Sequence, residues 1–162
     1  MWNTMQKVGA VKTKLAHKPV PVSFCLIVFA VLATSWLGQM NATNIRTLKT
    51  NRQLYSLKIS NTPESRNLGL GGRKSLPHSE GMLFVFDTQA VRCFWMKDMR
   101  FDIDIIWADS HKKVVHVVHG ATPESYPKMY CPQSLAAYVI ELNAGEAKKA
   151  GITTGDQLDL RL

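Results

Sequence analysis

A chain of 162 residues has room for one domain with an appendage, and 46% hydrophobic against 20% charged residues is the composition of a chain that buries a core. Its formal charge of +8 is unevenly placed: Lys7, Lys12, Lys14 and Lys18 precede residue 20 with no acid among them, and the remainder carries only +4. The cations of that remainder are scattered in runs no longer than two, which argues against the basic stripe of a nucleic-acid binder.

Residues 1–19 form a basic segment, and Val20 to Gly38 follows as 19 residues without a charge. That length is close to the roughly 20 residues that cross a bilayer as a helix, and Pro21 stands at its start, where a helix tolerates proline. Cations on its N-terminal side predict a cytoplasmic N-terminus and export of everything after Gly38. An uncleaved anchor and a signal peptide share this topology. Ala33-Thr34-Ser35 offers small residues for cleavage and Met40-Asn41-Ala42 does so poorly, so the anchor is the preferred reading. Cys25 lies inside the apolar run, badly placed for lipoprotein processing.

From 39 to 53 the composition turns to Asn, Thr, Lys and Arg, with Ile45 and Leu48 as the sizeable aliphatics, and reads as a tether. The β domain is expected over 54–162. Tyr55, Leu57 and Ile59 alternate with Ser56, Lys58 and Ser60 as a first strand. Thr62-Pro63-Glu64 gives an N-cap, a proline at the first helical position and an early acid, and Gly69, Gly71 and Gly72 keep that helix short. Met82 to Phe86 is apolar throughout and predicts a strand covered on both faces, followed by a turn at Asp87-Thr88-Gln89. Val91 to Met96 is a second strand, and Lys97 to Arg100 turns the chain into a third. There Phe101, Ile103, Ile105 and Trp107 share one face, with Asp102 and Asp104 on the other. Val114 to Val118 returns after a hairpin turn at Asp109 to Lys112. A loop of about fifteen residues with Pro123, Pro127 and Pro132 comes next, long enough to suggest a functional role. Tyr138 to Leu142 is a strand, Gly145 to Ala150 a turn or two of helix stopped by Gly151, and Leu158 to Leu162 a final strand. About seven strands and two short helices without a βαβ rhythm predict a mainly β fold, a small antiparallel barrel or sandwich.

The order of Thr62-Pro63-Glu64, Leu70-Gly71-Gly72-Arg73, Gly81-Met82-Leu83-Phe84-Val85-Phe86, Phe94-Trp95-Met96-Lys97, Asp104-Ile105, Tyr138-Val139-Ile140-Glu141-Leu142 with Gly145, and Gly155-Asp156 resembles the prokaryotic family known as domain of unknown function 192. The resemblance covers about residues 54–162 and implies a compact, mostly β domain, often exported or membrane-tethered, with no established activity. This chain departs from the family pattern at Gly71, where relatives carry methionine, and at Asp98-Met99 and Asp102-Ile103-Asp104, where they carry Asn-Thr and Pro-Leu-Asp.

Several constellations could carry chemistry. Asp102 and Asp104, two apart on a strand, have a separation of roughly 6.5–7 Å that suits an inverting acid/base pair on a sugar bond. The plainer expectation is that Asp104 is a structural acid satisfied by backbone amides or by Lys97 or Arg73, with Asp102 solvated. His116 and His119 fall on opposite strand faces, which weakens a shared metal, and His78 with Glu80 reads as a solvated loop. Cys131 matches a cysteine often seen in the family, and in an oxidising compartment it could pair with Cys93 and pin the long loop to the core. A nucleophilic Cys131, or soft Cu(I) ligation by Cys93, Cys131, Met96, Met99 and Met129, are the other readings. Trp95 and Tyr130 beside Lys97 and Asp104 would make an apolar platform with convergent polar groups.

The expected function is thus a non-catalytic ligand-binding or accessory module of the cell envelope. It would be held on the extracytoplasmic side of the cytoplasmic membrane, or secreted if the signal is cleaved. Its expected partners are the membrane and a small molecule or glycan, with no cofactor and no nucleic acid. The ligand candidates are Arg73, Trp95, Lys97, Asp98, Asp102, Asp104 and Cys131. The alternatives are a hydrolase of envelope glycans using Asp104 and Asp102, and a Cu(I) or redox accessory protein.

Overall fold

The computed structural model describes residues 44–162; the basic segment and the anchor or signal helix expected at 20–38 lie outside the described residues. Among the described residues no helix is long and apolar enough to cross a membrane.

The strands are β1 (Ile45–Lys49), β2 (Leu54–Ser60), β3 (Glu80–Ala90), β4 (Phe94–Trp95), β5 (Ile103–Ala108), β6 (Val114–Ala121), β7 (Met129–Tyr130), β8 (Ala136–Asn143) and β9 (Asp159–Arg161), with helices α1 (Pro63–Leu68) and α2 (Glu146–Ala150). Seven of the strands form one sheet in the order β6-β5-β8-β3-β2-β1-β9, and β4 with β7 forms a separate two-stranded ribbon. The sheet is curled into a half-barrel. Its two edges approach at one end, where Leu158 N donates to Lys112 O and Val114 N to Asp156 O, and Lys112 Nζ reaches Leu160 O. The expected mainly β fold is present, and in place of a barrel or sandwich it is a curled, half-barrel sheet of seven strands.

Three local expectations are also corrected. Residues 45–49 of the expected tether are β1, paired antiparallel with β2 on one side and β9 on the other. Leu48, fully buried, explains why so polar a stretch joins the sheet. The turn expected at Asp87-Thr88-Gln89 is a continuation of β3, which loses register with β8 beyond Val85 and regains it at Ala90. Finally, β2 and β3 are parallel neighbours joined through α1, so the fold contains one βαβ unit. Antiparallel strands can turn in two residues whereas a parallel pair needs a crossover, and the segment 61–79 supplies it.

α1 begins as the sequence suggests. Thr62 accepts from Ser65 N, Ser65 Oγ accepts from Thr62 N, and Pro63 occupies the first turn. None of its residues is buried, so α1 is a lid segment more than a core element.

Period-2 alternation along the central strands splits the core in two. One face of the sheet carries Tyr55, Leu57, Leu83, Ile106, Ile140 and Leu142, closed by Ala147 and Ala150 of α2. The other carries Met82, Phe84, Ile103, Ile105, Trp107 and Val139, closed by Leu70, Leu76 and Met96. With both faces covered, β5 is buried at all six positions, as a central strand of the sheet. Gly81 is required where β2, β3 and β8 meet, because a Cβ there would lie 2.8 Å from Glu141 O and 2.6 Å from Leu57 Cδ2.

Candidate functional site

A cleft of about 480 Å³ opens on the second face, between α1, the Gly69–Gly71 turn and the β4–β7 ribbon. Its position follows from the sequence on three sides. The glycines after Leu68 end α1 early and leave the sheet uncovered there. Phe84 and Phe86 face outward from β3 by alternation, and the ribbon is held against the core by Phe94, which packs edge-on against Phe84 at 4.8 Å and Trp107 at 6.1 Å. The Trp107 indole N–H donates to Arg92 O at 2.6 Å and fixes the strand's approach. A disulfide between Cys93 and Cys131 ties the ribbon to the loop that follows β7, and Cys93 lies in the cleft wall. The long loop expected after Gly120 contains a 3-10 turn at Pro123–Ser125, strand β7 and the disulfide to Cys93.

Glu141 of β8 lines the cleft. Its direct neighbours across the sheet are Met82 of β3 and Ile105 of β5, both apolar. The residue is 5% exposed, its Oε2 is buried without a hydrogen-bond partner, and among the described residues its side chain makes no ion pair. Burial in this apolar floor pushes the carboxyl up to about 8 from an ordinary value near 4.5, so near neutrality the group is mainly the uncharged acid.

The other charged groups of the wall are cations. Arg66 and Arg92 both lie over the Phe86 ring, at 5.0 and 4.1 Å from its centroid, and Lys97 lies 5.9 Å from the Trp95 ring. Arg66 is anchored by Asn61 O and Val85 O, Arg92 by Thr88 O; Arg92 Nε is buried without a partner. Leu68, Val91, Trp95 and Met129 make an exposed apolar rim.

Of the residues expected to gather at a site, Trp95 and Lys97 line this cleft. Asp98 lines an adjoining depression that also holds Lys97 and Arg100. Asp98 adopts the left-handed region (φ 58°), and its carbonyl accepts from Gly72 N at 2.8 Å, which joins the glycine turn to the ribbon. Arg73 lines a separate shallow depression near Lys58 and Met82. Asp102 is exposed at the foot of β5.

Asp104 is elsewhere. It points into the α2 side of the sheet, fully buried, with Oδ1 accepting from Gly120 N and Oδ2 from Ala147 N, each at 2.9 Å. Neither Lys97 nor Arg73 satisfies it; the partners are backbone amides, and His119 Nδ1 stands at 3.9 Å. The Cβ-pair geometry imagined for Asp102 and Asp104 therefore does not present two carboxylates to one open surface. Both cysteine sulfurs are consumed in the disulfide and Met96 is buried, and among the described residues no cluster of three His, Cys, Asp or Glu could hold a metal.

Glu141, Arg66 and Arg92 were not singled out by the sequence. The signal for Glu141 was nevertheless present: within Ala136 to Leu142 it is an acid on the same alternation as the buried Ala137 and Val139.

The sequence profile of a family described as Uncharacterized ACR, DUF192, matches residues 45–160. A UPF0127 protein of Thermococcus kodakarensis is 30% identical over 100 residues, 62% of this chain and 61% of the relative, so the chain spans less than two thirds of that protein's length. Among solved structures, a provisionally assigned transcription regulator of Sinorhizobium meliloti superposes with a TM-score of 0.66 at 28% identity, covering 72% of this chain and 92% of that one. A protein of unknown function from Novosphingobium aromaticivorans superposes with a TM-score of 0.65 at 24% identity, covering 71% and 83%, and shares the fold.

Proposed function

The chain belongs to the DUF192 family, and we propose that within it this protein is a non-catalytic ligand-binding module whose site is the Glu141 cleft. The observation that carries the reading is a carboxyl group buried in an apolar floor with no partner for Oε2. A buried polar group without a partner costs roughly 1–3 kcal/mol, which a fold does not need from a position that leucine could fill. Ligand binding supplies the missing partner. Among the described residues the wall holds one acid, no histidine and no serine, and its cysteine is oxidised, which supports binding over turnover.

The module works on the extracytoplasmic side of the cytoplasmic membrane, tethered by the segment at 20–38. The disulfide supports an oxidising compartment. The lysines ahead of 19 uncharged residues support export.

The test is retention. The full chain in lipid nanodiscs is incubated with a metabolite extract of its own cells, washed, and its bound small molecules identified by mass spectrometry against Glu141→Leu. A compound held by the wild type and released by the variant is the expected result. Equal retention by both, or none by either, would remove the reading.

A further inference from the structure

The chemistry of the cleft wall goes further than the presence of a site, and the inference drawn from it rests on the cleft reading above. We propose that the cleft takes a small organic anion: an apolar ring lies against Phe84, Phe94 and Trp95, an uncharged hydroxyl or carbonyl end reaches Glu141, and the charged end faces Lys97 and the arginines.

The floor and the rim ask for different things. At the floor, Glu141 sits between Met82 and Ile105, and the only charged side chains that share its cleft are Arg66 from α1 and Arg92 and Lys97 from the segment around β4. The strands on either side contribute no charge at these positions. An uncharged carboxylic acid in such a place offers one donor and one acceptor, so it suits a neutral hydroxyl or carbonyl and not a second anion. It also does not suit an ammonium group, which the cations Arg66, Arg92 and Lys97 of the same wall repel.

At the rim the balance is cationic. Arg66, Arg92 and Lys97 have no acidic partner among the described residues, and the adjoining depression adds Arg100 against Asp98 alone. Arg92 Nε is a second orphaned polar atom in the same wall. Between floor and rim the surface is aromatic, with Trp95 about half exposed, and a volume of about 480 Å³ falls in the range of small-ligand sites. A ligand with a ring between a neutral polar group and an anionic one satisfies all three zones together.

Three probes of similar size separate the zones: 4-hydroxyphenylacetate has ring, hydroxyl and anion; phenylacetate lacks the hydroxyl; tyramine replaces the anion by a cation. Binding to the full chain in nanodiscs is read by ligand-observed NMR, with empty nanodiscs as the blank. Fragments of this size reach about millimolar affinity. At pH 6.5 the expected order is 4-hydroxyphenylacetate ahead of phenylacetate and at least roughly tenfold ahead of tyramine. Glu141→Leu weakens the first probe about tenfold, and Glu141→Gln, which keeps a donor and an acceptor, by less than about threefold. For the wild type alone, affinity falls as pH rises through about 8, where Glu141 ionises beside an anionic ligand. Tyramine binding as well as or better than 4-hydroxyphenylacetate overturns the inference, and so does the absence of binding by every probe at about 10 mM. If the probes fail while the Glu141-dependent retention described above holds, the anion class falls and the binding module stands. If retention fails too, both fall.

Discussion

Asp104 and Glu141 lie on neighbouring strands, both buried, and meet opposite surroundings. Asp104 accepts one backbone N–H on each oxygen. One of these belongs to Gly120, freed where β6 carries one more residue than β5 between their paired positions. The other belongs to the first turn of α2, whose own cap position is Gly145 and offers no side chain. Asp104 thus serves as a helix cap donated by a distant strand. Asp104→Asn turns one acceptor into a donor facing a buried N–H, and should lower unfolding free energy by about 2–3 kcal/mol, read as a shifted urea midpoint at unchanged slope. An unchanged midpoint would place that carboxylate outside the fold's support. Glu141 has no such partners, and its raised folded-state value fixes the sign of its pH effect. Between about pH 4.5 and 8 the unfolded chain has released this proton and the folded chain keeps it, so stability drains as pH rises, by up to roughly 1.4 kcal/mol per unit, and levels off above 8. Urea unfolding of wild type and Glu141→Gln at pH 5, 6.5, 8 and 9 isolates this contribution. The wild type's relative stability should fall across the first three and then hold; a flat difference would mean that the group is ionised when folded. Glu146 works the other way: burial opposes its charge, but hydrogen bonds from Lys149 and Tyr55 and the cations Lys149 and His78 outweigh it and hold its carboxyl low. The Glu146 contribution is therefore present above the ordinary glutamate range and lost as acid protonates the group. Local sequence pattern marked Asp104 as notable because it is an acid on the regular alternation of Phe101 to Trp107, on the face it shares with Asp102. It could not separate the two acids by role, because Asp104's partners lie 16 and 43 residues away and Glu141 is defined by having none.

Elements with strong apolar alternation were legible, and those made by long-range pairing were not. Met82 to Phe86 and Tyr138 to Leu142 fall inside β3 and β8, the strand expected over Phe101 to Trp107 coincides with β5 only from Ile103 onward, and the Thr62–Pro63 start of α1 is where the capping chemistry puts it. The β4–β7 ribbon is two residues long on each side: the strand expected over Val91 to Met96 shrinks to Phe94–Trp95 outside the main sheet, and β7 lies in what reads as loop. The parallel direction of β2 and β3 is equally silent in local sequence, since alternation is the same in either direction. What makes the ribbon a wall of the cleft is the Cys93–Cys131 link, which closes a separation of 38 residues. Loop-closure entropy for a ring of that size predicts a loss of about 2–4 kcal/mol when both cysteines become serine. Thermal unfolding in non-oxidising and oxidising buffer checks this: the double-serine variant should melt lower than oxidised wild type and match wild type treated with dithiothreitol. Equal melting of oxidised wild type and variant would mean that the ribbon's aromatic packing alone holds it.

At the scale of the whole molecule, the sheet order places the first described strand between two others, and this decides where the domain begins. β1 pairs with β2 over five residue pairs and with β9 over three, so among the described residues it is the only strand laddered to β9, while the residues just ahead of β9 also bond to Lys112 and Val114. Composition hid this, because Ile45-Arg-Thr-Leu-Lys49 carries two aliphatics among polar residues and reads as linker. One of those two, Leu48, is wholly buried against the cluster that includes Tyr55, Leu57, Leu158 and Leu160. Removing β1 gives up the burial of Leu48, about 2–3 kcal/mol. It also leaves β9 with no sheet partner and uncovers the flank of β2. Against a domain stability of about 5–15 kcal/mol, the combined loss should abolish cooperative folding. A chain that begins at Asn44 should therefore melt in one sharp transition with dispersed amide resonances, and one that begins at Leu54 should show neither. If the shorter chain melts like the longer one, β9 and the curled edge contribute little, and the sheet is held by β8, β3 and β5 alone.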